Sequence, residues 1–477
     1  LAQFEGKNIY IAFVNRNEDQ SMVFVDNIRV HYSGDFYFTP SNEENVVARE
    51  NTQIAVRLMV TGDKTYNNLC ATLATADGKY TDTYTATALG LTKDSPTYKF
   101  EFPGEMPLTV GSENHYTITV DLDGKSVSRT GVIRNLAFET TKHVVVEEGT
   151  GQWCGNCPLG LLSLDNLKRL YDDRVIAIGV HGGTGFDSYL YSEYASYLGF
   201  TGYPAGRVNR IDTIYAPMYT AGGSYEFISP EGNQTFLDIA RREFATVAYA
   251  DVRLKQAVCD EAGGTMTIGG EVAYALDLDG VNHNLAFVVL ENGLTGPQTN
   301  YFYISSDPNL GDFAQGGQYG SSMPVITFND VARNVPGGVF AGVPGLVPVS
   351  VSSDAPVAFS QTYALPENVA NWANAEVVVM LLDANTGRVV NAAKLPFTAA
   401  GDTQGIHDAA VQGDVRMAAG RGFVSVSGAL PGAQVEVYDT AGRRMAAGTA
   451  DVSGSLTLRT GGTGVYVVKA GQTVGKV

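Results

Sequence analysis

Two cysteines three positions apart, Cys154 and Cys157, separate a valine-rich run, His143-Val144-Val145-Val146-Glu147-Glu148, from a leucine-rich segment, Leu159 to Tyr171. The order reads strand, cysteine loop, helix. Asp172-Asp173-Arg174 then interrupts the helical pattern, and Val175-Ile176-Ala177-Ile178-Gly179-Val180 reads as a second buried strand. A Cys-x-x-Cys at the strand-to-helix turn of a βαβ unit is an arrangement that thiol–disulfide chemistry uses. That chemistry needs a thiolate. With Cys154 at the helix N-terminus, unpaired N–H groups and the helix dipole favour negative charge. Lowering a cysteine pKa by about two units takes roughly 2.7 kcal/mol. The dipole supplies roughly 0.3–1 kcal/mol at an exposed site, so backbone amides and the Cys157 thiol must supply the rest. Cys157, one turn further in, can attack the mixed disulfide and release the substrate. Half of a zinc site is the alternative, although no second Cys/His pair stands at ligand spacing. Neither a metal nor another cofactor is expected.

A chain of 477 residues is too long for one core, so several domains are expected. The net charge of −18 argues against nucleic acid or anionic lipid as a partner. No apolar run approaches the roughly 18 residues a membrane span needs. Abundant Gly, Tyr and Phe, with many Thr/Val alternations, point to a mainly β protein carrying an α/β insert. Leu1-Ala2-Gln3-Phe4-Glu5 has neither the basic nor the apolar part of a signal peptide, and we expect a processed or truncated product. Four cysteines are too few for a disulfide-stapled scaffold. Cys70 and Cys259, each flanked by apolar strand-like residues, are expected to be buried free thiols.

Along the chain, residues 1–34 hold two alternating strands around a polar turn. Strand patterns at Gln53–Val60, Leu69–Ala74, Tyr98–Phe102 and His115–Val120, with turns at Asp77-Gly78 and Asp123-Gly124, predict an immunoglobulin-like sandwich over 35–139. Residues 140–249 form the α/β unit, ending in a helix over Gln234–Val247. A second β-sandwich is expected over 250–399, with strands at Thr265–Ala275, Leu285–Leu290 and Glu376–Asp383 and hairpin signals at Asp279-Gly280 and Asn385-Thr386-Gly387. Residues 400–415 read as a linker and 416–477 as a final β module. His181, at the end of the second strand, is expected to be solvated. Gly182-Gly183-Thr184-Gly185 lacks the lysine and spacing of a phosphate loop and is expected to be a flexible turn. Asp121-Leu122-Asp123-Gly124 and Asp277-Leu278-Asp279-Gly280 are too short for calcium loops and read as hairpin turns.

Several of these segments resemble known families. Trp153-Cys154-Gly155-Asn156-Cys157 is similar to the Trp-Cys-Gly-Pro-Cys signature of the thioredoxin superfamily, with Asn156 where proline is usual. The resemblance implies that Gly155 and Asn156 tune the redox potential and that Trp153 walls the site. It implies that Glu148 is a buried acid relaying protons to Cys157, the alternative being a surface carboxylate at a strand end. It also implies that Tyr203-Pro204 is a cis-proline loop binding extended substrate. Val146 to Pro158, Gly202 to Arg210 and Val288 to Gly296 together resemble the Omp-twenty-eight-related outer-membrane protein family. That implies a thioredoxin-like domain followed by a β-sandwich on a bacterial surface. Residues 1–34, with Val25-Asp26-Asn27-Ile28, resemble the closing hairpin of the jelly-roll domains of cleaved adhesins. Val435 to Arg443, Gly464 to Lys469 and the terminal Lys476-Val477 are similar to a type IX secretion sorting domain. This implies the type IX machinery as a partner and a location on the outer-membrane surface of a Gram-negative bacterium, reached through the periplasm. The expected activity is a secreted or surface-attached thiol–disulfide oxidoreductase acting on protein disulfides. The alternative is a surface binding or adhesion protein whose thioredoxin-like domain is structural.

Overall fold

The computed structural model describes residues 35–40, 47–48, 51–221, 224–228 and 234–400, and in the C-terminal part 416–420, 423–427, 433–439, 443–450, 456–460, 466–470 and 473–476. The expected jelly-roll hairpin at 1–34 lies outside them, as does the linker at 400–415 apart from Ala400. The chain divides into two units, Leu1–Asp402 and Thr403–Val477, and strands dominate both.

Seven strands come first: β1 (Phe36–Pro40), β2 (Thr52–Val60), β3 (Leu69–Thr75), β4 (Thr81–Ala86), β5 (Thr97–Met106), β6 (Ser112–Leu122) and β7 (Lys125–Asn135). They form antiparallel sheets in the orders β1-β2-β5 and β4-β3-β6-β7. Strand alternation sends Ile54, Val56, Leu58 and Val60 of one sheet into a common core with Leu69, Ala71, Leu73, Ile118 and Val120 of the other. The same alternation corrects the expectation for Cys70. Its apolar neighbours Leu69 and Ala71 point inward, so Cys70 itself is exposed. Cys259 is buried as expected, and burial pushes its thiol up to about 11. Asp123 and Gly124 close the β6–β7 hairpin with φ of 49° and 83°, the two positive values that a type I′ turn demands.

The α/β part follows as β8 (Val144–Thr150), α1 (Pro158–Tyr171), β9 (Val175–His181), α2 (Ser192–Tyr197), β10 (Ala205–Val208) and β11 (Thr213–Ile214). A short ribbon, β12 (Tyr219–Ala221) and β13 (Ser224–Glu226), precedes α3 (Phe236–Phe244). The expected helix at 234–247 is thus shorter. Thr235 stops it at the N-terminus by a capping box with Asp238, each side chain pairing with the other's backbone N–H. Then come β14 (Ala250–Asp260), β15 (Thr265–Tyr274), β16 (Leu278–Asp279), β17 (His283–Glu291), β18 (Leu294–Pro297) and β19 (Val325–Phe328). The series ends with β20 (Val331–Asn334), β21 (Ser350–Val351), β22 (Val357–Ala364), β23 (Ala375–Asp383), β24 (Val389–Pro396) and β25 (Thr398–Ala399).

One eight-stranded sheet, in the order β11-β10-β8-β9-β20-β17-β23-β24, runs through both regions that the sequence separates at residue 250. β8 and β9 are parallel, as the intervening helix requires. On one face, Val144, Val146, Val175 and Ala177 pack on Leu164 and Leu167 of α1 and on Phe236, Leu237 and Ala240 of α3. Further along, Leu285, Phe287, Val289, Val377, Val379 and Leu381 pack on the four-stranded sheet β22-β15-β14-β25. The opposite face joins Val145, Ile178, Val288 and Met380 with Tyr194, Ala195 and Leu198. Residues 250–399 therefore do contain two packed sheets, but one of them is completed by β8 and β9. Asn385-Thr386-Gly387 does close the β23–β24 hairpin. Asp279-Gly280 does not close one, because β16 pairs with the distant β21.

In the C-terminal unit, strands β26 (Arg416–Gly420), β27 (Phe423–Ser427) and β30 (Leu456–Arg459) form one sheet. A second comprises β28 (Gln434–Asp439), β29 (Arg444–Thr449), β31 (Tyr466–Ala470) and β32 (Thr473–Lys476). Val424, Val426, Val435, Val437 and Val468 share its core.

Candidate functional site: the cysteine loop at the end of β8

The loop between β8 and α1 carries a disulfide between Cys154 and Cys157, whose Cα atoms are 5.4 Å apart. Cys157, not Cys154, is the residue that caps α1. Pro158 follows at the first helical position, where its missing N–H costs nothing. Cys154 stands one tight turn earlier, with Cys157 N donating to its carbonyl at 3.2 Å. The helix N-terminus therefore acts most directly on Cys157. Asn156 is exposed, and Gly155 is buried.

Glu148 projects from β8 toward α1, opposite in direction to its neighbour Glu147, as strand alternation requires. It is fully buried, and among the described residues neither of its carboxylate oxygens has a hydrogen-bond partner. Burial pushes its carboxyl up to about 8, and nearby Thr150 draws it only slightly back. Gly160, in the first turn of α1, makes the room: a Cβ there would lie 2.1 Å from Glu148 Oε1. Gly160→Ala should therefore destabilise the protein by about 1–3 kcal/mol through overpacking, against the roughly 0.8–1 kcal/mol gain alanine brings to an open helix site. Urea denaturation should show that adding Glu148→Ala removes this penalty; a single mutant as stable as wild type would mean the carboxyl is not lodged there.

Trp153 spans the loops on the other side. Its indole Nε1 donates to Gly182 O at 2.9 Å, and its ring meets Tyr203 edge-on at 5.5 Å. Cβ atoms at Gly151, Gly183 and Gly185 would each come within 2.6 Å of Trp153. The segment Gly182-Gly183-Thr184-Gly185 is thus a close-packed seat for the indole rather than a free turn. The Tyr203–Pro204 bond is cis, and Pro204 is buried just before β10. Of the sequence-derived residues, Trp153 and Tyr203 are brought into contact beside the cysteine loop, and Glu148 lies beneath the start of α1.

His181 is not solvated. Its Nδ1 lies 2.9 and 3.0 Å from the two oxygens of Asp187, and both side chains are almost fully buried. Tyr189 and Phe328 pack edge-on around the imidazole. Asp187 also accepts from the backbone N–H groups of Gln152 and Tyr189, each at 2.8 Å. The pair thereby fixes the residue that enters the cysteine loop.

A second group, absent from the sequence reading, comes from the segment after β18. Thr299 N donates to Gln152 O at 2.8 Å, and Tyr301 N to Gly155 O at 3.0 Å. Gln298 Nε2 donates to Cys154 O at 2.8 Å and to Gly151 O at 3.3 Å. Nothing local marks these residues, which lie more than 140 positions beyond the cysteines. With them in place Cys154 is 4% exposed and Cys157 0%.

No protein-family model matches the chain, and no curated protein matches it. Among solved structures, HBP35 of Porphyromonas gingivalis aligns over 71% of this chain and 98% of its own, at 17% identity and a TM-score of 0.37. A Paenibacillus sp. cycloisomaltooligosaccharide glucanotransferase complexed with cycloisomaltoheptaose aligns over 34% of this chain and 24% of its own, at 14% identity and a TM-score of 0.18. At these scores neither likeness bears on what this chain does. No helix among the described residues is long and apolar enough to cross a membrane.

Proposed function

We propose that residues 140–249 provide a thioredoxin-like thiol–disulfide exchange site acting on protein thiols and disulfides. One observation carries the reading: a Cys-x-x-Cys disulfide opens a helix packed on a buried carboxyl that burial pushes up to about 8 and that faces no charged partner among the described residues. Leaving a carboxyl unsatisfied costs stability, and a group held neutral near the working pH is what proton transfer uses.

From the disulfide form, a substrate thiolate attacks Cys154 Sγ. The Cys154–Cys157 bond breaks, its electron pair leaves on Cys157 Sγ, and Glu148 gives that sulfur a proton. A second substrate thiolate then attacks the substrate sulfur of the mixed disulfide and expels Cys154; Cys154 and Glu148 each take a proton from solvent, which has received the two protons of the substrate thiols. The substrate dithiol has lost two electrons and two protons, and the cysteine pair has gained them. In the reverse direction the same steps reduce a substrate disulfide, with Cys154 as nucleophile and Cys157 as resolving thiol. Trp153, Tyr203 and Pro204 form the substrate wall, and Gly155 and Asn156 set the potential. We further propose surface attachment, with the module at 416–477 as a type IX sorting domain and the chain allied to the Omp-twenty-eight-related proteins.

The near-complete burial of both cysteines favours a second reading, a structural disulfide in a binding or adhesion protein. Two measurements separate the readings. Cys154→Ser should abolish turnover of a mixed-disulfide substrate, whereas Cys157→Ser should trap it covalently; equal activity in both variants would sink the exchange site. Equilibration in glutathione buffers should place the pair between about −120 and −270 mV, the range spanned by protein oxidants and reductants. A value far below about −300 mV would give the structural reading the lead.

A further inference from the structure

We infer that Gln298–Tyr301 is a strap that gates the Cys154–Cys157 pair, an inference that rests on the exchange reaction proposed above. The strap is held on two edges. On the outer side Gln298 N donates to Pro324 O and Asn300 N to Ser322 O, both at 2.9 Å, extending the β18–β19 ladder. The Asn300 carboxamide ties the same segment to the carbonyls of Phe313, Tyr319 and Ser321. On the inner side the strap meets the cysteine loop through Thr299 N to Gln152 O, Tyr301 N to Gly155 O and the Gln298 carboxamide.

The two edges differ in what they hold. The outer edge continues the antiparallel β18–β19 pairing and is pinned by the three carbonyls that accept from the Asn300 carboxamide. The inner edge is a few neutral hydrogen bonds, each exchangeable for one to water, the kind of contact that opens locally. Gln298 is buried, and its Oε1 accepts no hydrogen bond among the described residues, so its hold on the loop is incomplete. Tyr301 covers Gly155 so closely that a Cβ there would lie 2.4 Å from its ring, yet Tyr301 is 63% exposed. The ring can therefore swing outward into solvent without breaking a core. The carbonyls the strap occupies are those an extended polypeptide would use to add itself to the loop as a strand. The strap is an internal occupant of that edge, and a partner chain reaches Cys154 only after it lifts.

The test is kinetic. Dithiothreitol reduces the pair by giving up two thiol hydrogens and becoming a cyclic disulfide. Its rate in the full chain is followed by quenched alkylation and mass spectrometry. Gln298→Ala and Tyr301→Ala should each speed reduction about tenfold while leaving the equilibrium potential unchanged, the outcome expected of a contact that controls access alone. Unchanged rates in both variants would overturn the gate. So would an acceleration matched by an equal rise in urea sensitivity, since global unfolding would then explain it. Failure of the exchange reading has a different signature: fast dithiothreitol reduction in the strap variants with no trapping of a polypeptide mixed disulfide by Cys157→Ser.

Discussion

Glu148→Gln should flatten the loss of stability that the oxidised protein suffers between about pH 5 and pH 8. The folded carboxyl sits near 8, against an ordinary value of 4.5. Over that interval the native state keeps a proton that the unfolded chain has released. Stability is therefore full below about pH 4.5, falls as pH rises, and the whole penalty is present above about 8. At about 1.36 kcal/mol per pH unit the loss is on the order of 4–5 kcal/mol, less whatever water entry relieves. Other groups titrate over the same range, so the informative quantity is the difference between wild type and variant. Urea midpoints at pH 5, 7 and 8.5 should converge at the acid end and separate in favour of the variant at the alkaline end. Parallel curves would mean that Glu148 ionises freely and is no buried acid. The same substitution carries a kinetic expectation. Glutamine cannot supply a proton to the departing Cys157 sulfur, so thiol attack on the disulfide should slow at pH 7. The deficit should vanish above pH 8, where the wild-type carboxyl has already lost its proton.

How legible this site was depended on how local its signals were. The strand, loop and helix around Cys154 and Cys157 could be read directly, because valine runs buried on both faces, a proline at the helix start and leucines at helical spacing all act over a few residues. β8 and β9 were evident for that reason. Their sheet partners were not: β17 and β23 are equally apolar on both faces, and such strands do not disclose which sheet they complete. Hence the expected boundary at residue 250 falls across a continuous sheet. Cys70 was misjudged because apolar neighbours in a strand lie on the opposite face from the residue between them. His181 was misjudged because its partner Asp187 belongs to an irregular loop without periodicity. Gln298 and Tyr301 were invisible, since their contacts with the cysteine loop exist only once the segment between β18 and β19 is folded onto it.

Arg210→Met should cost about 3–5 kcal/mol, the penalty for leaving a buried charge without its partner. Glu147 is fully buried on the face of β8 opposite Glu148. Arg210 Nε lies 3.0 Å from both its oxygens and Nη2 2.7 Å from Oε1, and the Tyr194 hydroxyl donates to the same carboxylate. Burial alone would lower the Arg210 pKa, but Glu147 beside it outweighs that and raises it. Arg210 Nη1 also donates to Phe340 O at 2.8 Å, so one cation joins β8, α2 and the loop before β21. If charge compensation dominates, Glu147→Gln combined with Arg210→Met should recover much of the loss, and the coupling should exceed about 1 kcal/mol in a double-mutant cycle. Additive losses in urea denaturation would instead assign the effect to lost packing of the guanidinium against Tyr197, whose ring lies 5.3 Å away. The comparison bears on the cysteine-loop site as well. Two adjacent glutamates, equally buried, differ in that one faces a cation and the other faces none among the described residues.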